Sequence, residues 1–309
     1  MLVPAAGGGG LNSFEPNFWG LAVATILLGV SIFQGYIFFT NYNDSCRLRL
    51  FVAVLLLLDF STTFFYSFAL REMLIVNRGS PSNLSGAGPT LLAESTATLV
   101  VTWLTHLFFA FRVYQINHGN RIVPVLIVIF ASLSLAAGII RVKFMVVLSL
   151  NNMVTLRYKI LNTLSGVFAA ISDILATVSM CLTFVHSAFD TKRLDSVLRH
   201  LMIYTFNRGI IVTSAQILVV VLYVYAPQKF YWFPVHICLS KLYVNTLLAM
   251  LNSRARLRSK ISQTVDFAPN ILHFTHASDA MTTTVKLRNS PSGDSEGTTV
   301  QSLDIEEEK

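Results

Sequence analysis

Charge is what this chain has least of. Only 13% of its 309 residues are Asp, Glu, Lys or Arg, against 53% hydrophobic, whereas a water-facing domain carries about 25% charged residues. The apolar residues are not arranged as the stripes or short strands of a soluble core either. They form runs that are apolar on every side, which excludes a soluble globular fold. Cysteine is scarce as well. Of the three, Cys181 and Cys238 fall inside apolar runs and Cys46 in the first connection, so no pair stands in an outer loop to form a disulfide. The first 17 residues carry Gly7 to Gly10 and a single charge, Glu15. They lack the basic start of a cleavable signal peptide, and the first apolar run is expected to act as its own insertion signal. There is no nucleophile elbow, phosphate loop or dinucleotide fingerprint in a suitable context. We therefore expect no enzymatic activity and no cofactor. The formal charge of +7 is no nucleic-acid footprint, because the basic residues gather at run ends and in the tail.

What is present is seven long apolar runs. The pattern predicts helices over about 18–40, 48–70, 91–113, 122–140, 160–187, 198–225 and 231–252. About 20 helical residues at ~1.5 Å each cover the ~30 Å hydrocarbon core. The expected fold is all-α, a polytopic bundle of seven transmembrane helices whose first partner is the lipid bilayer. The segment 141–159 is the least clear, since Phe144 to Leu150 is itself apolar and either continues helix four or lies in the interface. Residues 253–309 are rich in Ser and Thr, begin basic and end acidic, and hold too few apolar groups to offset ordering entropy. They are expected to be a disordered tail.

Lysine and arginine asymmetry sets the orientation. With the N-terminus outside, eleven basic residues fall in the inner connections and the start of the tail, against seven in the outer ones. This favours N-out, C-in, in a plasma or secretory-pathway membrane. Asn83 then opens a glycosylation sequon in an outer loop, while Asn43 matches the same pattern on the inner side. Cys46 reads as an ordinary free thiol, with palmitoylation as the alternative in a cytoplasmic loop. Arg254, Arg256, Arg258 and Lys260 suit anionic lipid headgroups, although ordinary positive-inside flanking accounts for them equally.

Ionisable groups at mid-bilayer cost about 2.5–3.5 kcal/mol on insertion scales, so each needs a reason. Asp59, Asp173, Arg208 and Lys241 sum to zero charge and lie at comparable depth. We expect one interior network that also draws in Asn245 and Asn207. Ala169, Ala170, Ala176 and Thr177 surround Asp173 at helical spacing and make a small-residue stripe for close helix contact. Helix packing alone explains such a network; a ligand or proton site is the sharper alternative. His106, His186 and His236 lack ligand spacing and differ in depth, which argues against a metal site. Lys241 would suit a retinal Schiff base, but helix three offers only Glu94, at its outer edge, as counter-ion. An ion pair explains the lysine without retinal.

Three segments carry a resemblance. They are Thr191-Lys192-Arg193-Leu194-Asp195-Ser196 with Leu201 to Gly209, Leu239 to Arg254, and the aromatic-Arg end of helix three, Phe108 to Tyr114. They resemble the basidiomycete seven-helix proteins bearing domain of unknown function 6534, most strongly over about Asp173 to Arg256. Arg208 departs from that pattern. The resemblance implies a seven-helix topology and a fungal source, and no activity. Two function classes remain. A receptor-like or sensory protein for a small-molecule or lipid ligand fits seven helices and a Ser/Thr-rich inner tail. However, helix three ends Phe-Arg-Val-Tyr with no acid before the Arg, and helix seven has no Asn-Pro hinge. The alternative is a transporter or channel using the buried charges as a relay, against which stands the lack of an internal repeat.

Overall fold

The computed structural model describes residues 8–41, 44–76, 88–116, 121–148, 155–190, 195–226 and 231–253. All the regular structure among them is helical. The helices are α1 (Gly8–Asn41), α2 (Cys46–Arg71), α3 (Gly88–Ile116), α4 (Ile122–Leu148), α5 (Leu156–Asp190), α6 (Asp195–Tyr225) and α7 (Phe233–Ser253). α2 runs on into a π-helical turn, Glu72–Val76. Each of the seven holds a segment long and apolar enough to cross a membrane. The chain is thus a multi-pass membrane protein of seven helices. It divides into two units, residues 1–255 and 256–309. Of the expected disordered tail, 253–309, only Ser253 is described, as the last residue of α7; Asn43, Asn83 and the basic residues Arg254, Arg256, Arg258 and Lys260 lie outside the described residues.

Helix ends differ from the sequence reading most at α1 and at α4, where the segment after 140 takes the continuing alternative. α4 does not stop at 140 but continues to Leu148, because Val142 and Phe144 to Leu148 are apolar enough to extend it. Arg141, counted among outer-loop charges, is therefore a buried helical residue, 4% exposed. α1 begins at Gly8 rather than near Phe18, with Pro16 inside it.

From α1 to α6 successive helices pack on one another, and α3 also packs on α5. α7 is different in kind. Some 72% of its apolar 18-residue stretch is buried, against 22% to 44% for those of the other six, and it has the lowest mean hydropathy of the seven. A helix wrapped by other helices needs no lipid-facing apolar surface, so it tolerates Ser240, Lys241, Asn245 and Asn252. Two of these tie it to α1: Asn245 Nδ2 donates to Leu27 O and Asn252 Nδ2 to Gln34 O, both at 2.9 Å. The two donors and the two acceptors are each seven residues apart, which is two helical turns. α4 and α5 are joined by a reciprocal serine pair, Ser134 Oγ to Ser165 O at 2.8 Å and Ser165 Oγ to Ser134 O at 2.9 Å. Such polar contacts suit a lipid setting, where apolar burial between helices supplies little drive.

Close approach also rests on glycine. A Cβ at Gly209 in α6 would overlap the Thr177 side chain of α5, whereas one at Gly29 would meet nothing within 4 Å. Gly209→Ala is expected to cost about 1–3 kcal/mol as Thr177 is displaced. Gly29→Ala should be neutral or gain up to about 1 kcal/mol through helix propensity. Paired thermal melts in lipid check both; equal behaviour would deny the α5–α6 contact.

Candidate functional site

α7 stands between two buried ionic clusters. Toward α2, the Lys241 ammonium lies 3.3 Å from Asp59 Oδ1, and both side chains are 1% exposed or less. It donates to Asp59 O at 3.2 Å, to Ser240 Oγ at 3.0 Å and to Thr62 Oγ1. Thr62 in turn donates to Asp59 O at 2.8 Å. The lysine's donors are thus well placed on neutral oxygens. The Asp59 carboxylate accepts no hydrogen bond among the described residues and is held by charge alone.

Two residues along α7, about 200° around the helix axis, Tyr243 turns the other way. Its hydroxyl donates to Asp173 Oδ2 at 2.5 Å. The other oxygen of Asp173 faces two cationic or cation-forming groups, His106 Nε2 at 3.2 Å and Arg208 Nη2 at 3.7 Å. The guanidinium of Arg208 sits over the Phe109 ring, 3.2 Å from its centroid, a cation–π contact that is strongest where water is excluded. All three guanidinium nitrogens of Arg208 lack a hydrogen bond among the described residues, though the residue is only 4% exposed. One carboxylate of α5 is therefore shared by groups from α3, α6 and α7, and one of those groups has donors to spare.

The expected single network is thus two. α7 divides them, because Lys241 and Tyr243 project from opposite sides of it. Asp59 pairs with Lys241 and Asp173 with Arg208, each pair formally neutral. Asn245 shares the Lys241 side of α7 but bonds to α1 and joins neither pair. Asn207 is exposed, a correction with a simple cause: the residue next to it, Arg208, points inward, and ~100° of rotation carries Asn207 out of the bundle. The stripe around Asp173 is buried, with Ala176 at 0% and Ala169 at 3%. Cys46 is the first residue of α2 rather than a loop residue, with an exposed free thiol.

Several participants escaped sequence reasoning. His106 enters the sequence reading only as a metal-ligand candidate, and Tyr243 and Phe109 only within the segments that carry the resemblance. Glu94, taken for an outer-edge residue, is fully buried. Its Oε1 accepts from Thr98 Oγ1 at 3.0 Å and its Oε2 from Ser95 Oγ at 3.4 Å, with His236 Nε2 of α7 at 3.9 Å. The hydroxyls at i+1 and i+4 from Glu94 were a legible signal of that burial. Among the described residues no three His, Cys, Asp or Glu side chains converge in a way that would hold a metal ion.

Residues 169–256, from α5 to just past α7, match a family of unknown function (DUF6534). No curated protein and no solved structure matches the chain. The matched segment contains Asp173, Arg208, Lys241 and Tyr243, while Asp59, Glu94, His106 and the Phe108–Tyr114 end of α3 lie before it.

Proposed function

We propose that this protein is a receptor-like or sensory seven-helix membrane protein in which the Asp173 cluster is a latch between α3, α5, α6 and α7. The observation that carries this reading is Arg208, buried against Asp173 and Phe109 with unspent donors. Unsatisfied donors in a buried network are costly and leave room for a second packing that would satisfy them, and a ligand that prefers that packing shifts the balance toward it. A small molecule or lipid is the ligand class this reading implies. It assigns the chain no catalytic chemistry, a fungal source, and an N-out, C-in orientation that gains weight once Arg141 leaves the outer-loop charges. On that orientation Asn83 would carry a glycan, Cys46 would be open to palmitoylation, and the basic residues after α7 would meet anionic headgroups.

An unbiased ligand screen by thermal shift on the purified protein in lipid tests the proposal, since a ligand stabilises the state it binds. Stabilising hits without uptake into reconstituted vesicles support a receptor. The transporter reading draws on the string of buried ionisable groups, Glu94, His236, Lys241 and Asp59. Concentrative uptake of a hit, or proton movement with it, would establish that reading instead.

A further inference from the structure

A polar cavity of about 40 Å³ lies among α3, α4, α5, α6 and α7, lined by Thr98, Ser134, Arg141, Asn162, Gln216 and His236 with apolar neighbours. It is distinct from both ionic clusters. Such a volume holds a few water molecules or one small ion. Its most unusual wall is Arg141. Nη1 donates to Asn162 Oδ1 at 2.7 Å, a neutral partner. Its Nε has no hydrogen bond among the described residues, nor has His236 Nε2, which stands 3.9 Å from Glu94 Oε2. No carboxylate lines the cavity. Glu94, which the lining residues Thr98 and His236 approach, is hydrogen-bonded to Thr98 and Ser95 and stands outside the lining.

The hydroxyls of the wall are already spent, since Ser134 bonds Ser165 and Thr98 bonds Glu94. What lines the void is therefore the Arg141 guanidinium with its unbonded Nε, the His236 imidazole and the Gln216 amide. A buried cation with a spare donor and a neutral hydrogen-bond partner favours an acceptor that carries negative charge. We propose that this cavity binds one small monovalent anion, a halide or a carboxylate no larger than formate, with Arg141 as its anchor and Asn162 holding the guanidinium in place. The site does not depend on the receptor reading.

The test uses the full chain in nanodiscs of zwitterionic lipid, with chloride exchanged for gluconate at constant sodium. The melting temperature is expected to rise by several degrees and saturate with chloride. Bromide should act alike, and sulfate, doubly charged and far more strongly hydrated, should give no saturable rise at the same concentrations. Arg141→Gln should abolish the saturable part. Should that variant fail to fold, Gln216→Leu decides, with an expected increase in the chloride midpoint of about fivefold, the equivalent of one lost hydrogen bond. Identical melts in chloride and gluconate, or a wild-type midpoint in Gln216→Leu, would overturn the site and leave a cavity filled by water.

Discussion

Asp173→Ala is expected to destabilise the bundle by about 3–5 kcal/mol, the usual result of stripping a buried charge of its partner. The variant leaves Arg208 at 4% exposure with the Phe109 face as its remaining contact, and leaves the Tyr243 hydroxyl without its acceptor. Arg208→Met should cost less, about 1–2 kcal/mol, because Asp173 retains Tyr243 and His106 and methionine fills much of the same volume. The order of the two losses is the informative quantity. Melts of both variants in lipid read it directly, and wild-type stability in Asp173→Ala would mean that Arg208 reaches water or headgroups by another route.

The second large effect belongs to the Asp59–Lys241 pair. Lys241→Met should cost about 3–5 kcal/mol, since it leaves a carboxylate with no hydrogen bond and no counter-charge at 0% exposure. Adding Asp59→Leu should recover most of that loss, because two apolar side chains in place of a buried pair are often neutral. Thermal melts of the two single variants and the double variant give the coupling. Additive losses would show that the two groups do not depend on each other. Combining Lys241→Met with Asp173→Ala, by contrast, should give near-additive losses, since α7 separates the clusters and they share no partner.

The seven helices were legible because lipid leaves a coarse signature, runs of about 20 apolar residues broken by polar connections. The four mid-helix charges were equally legible, since the cost of each at that depth demands a partner. Pairing was another matter. Which acid meets which base depends on how helices far apart in sequence face one another, and 67 residues separate His106 from Asp173. That Lys241 and Tyr243 diverge follows from helical geometry alone, and it already argues for two clusters rather than one. Arg141 was misplaced because the charge of Arg141 and Lys143 looks like a helix end. The apolar residues beyond them carry the helix onward, and Asn162 of α5 supplies the neutral partner that lets the arginine stay inside. Asn207 was misjudged because its neighbour's burial was extended to it.

The latch is tested most directly by a distance. Phe111 near the end of α3 and Phe206 in α6 are both exposed, at 58% and 51%. Each can be replaced by a spin-labelled cysteine after Cys46, Cys181 and Cys238 are removed. Pulsed electron–electron spin resonance in nanodiscs should give one narrow distance in the otherwise wild-type chain. With Asp173→Asn, which removes the charge that holds Arg208, a second population displaced by about 2–5 Å is expected, the scale of helix shifts in switching proteins. The same narrow distance in both proteins, with Asp173→Asn folded, would contradict a latch and reduce the cluster to a fixed packing contact.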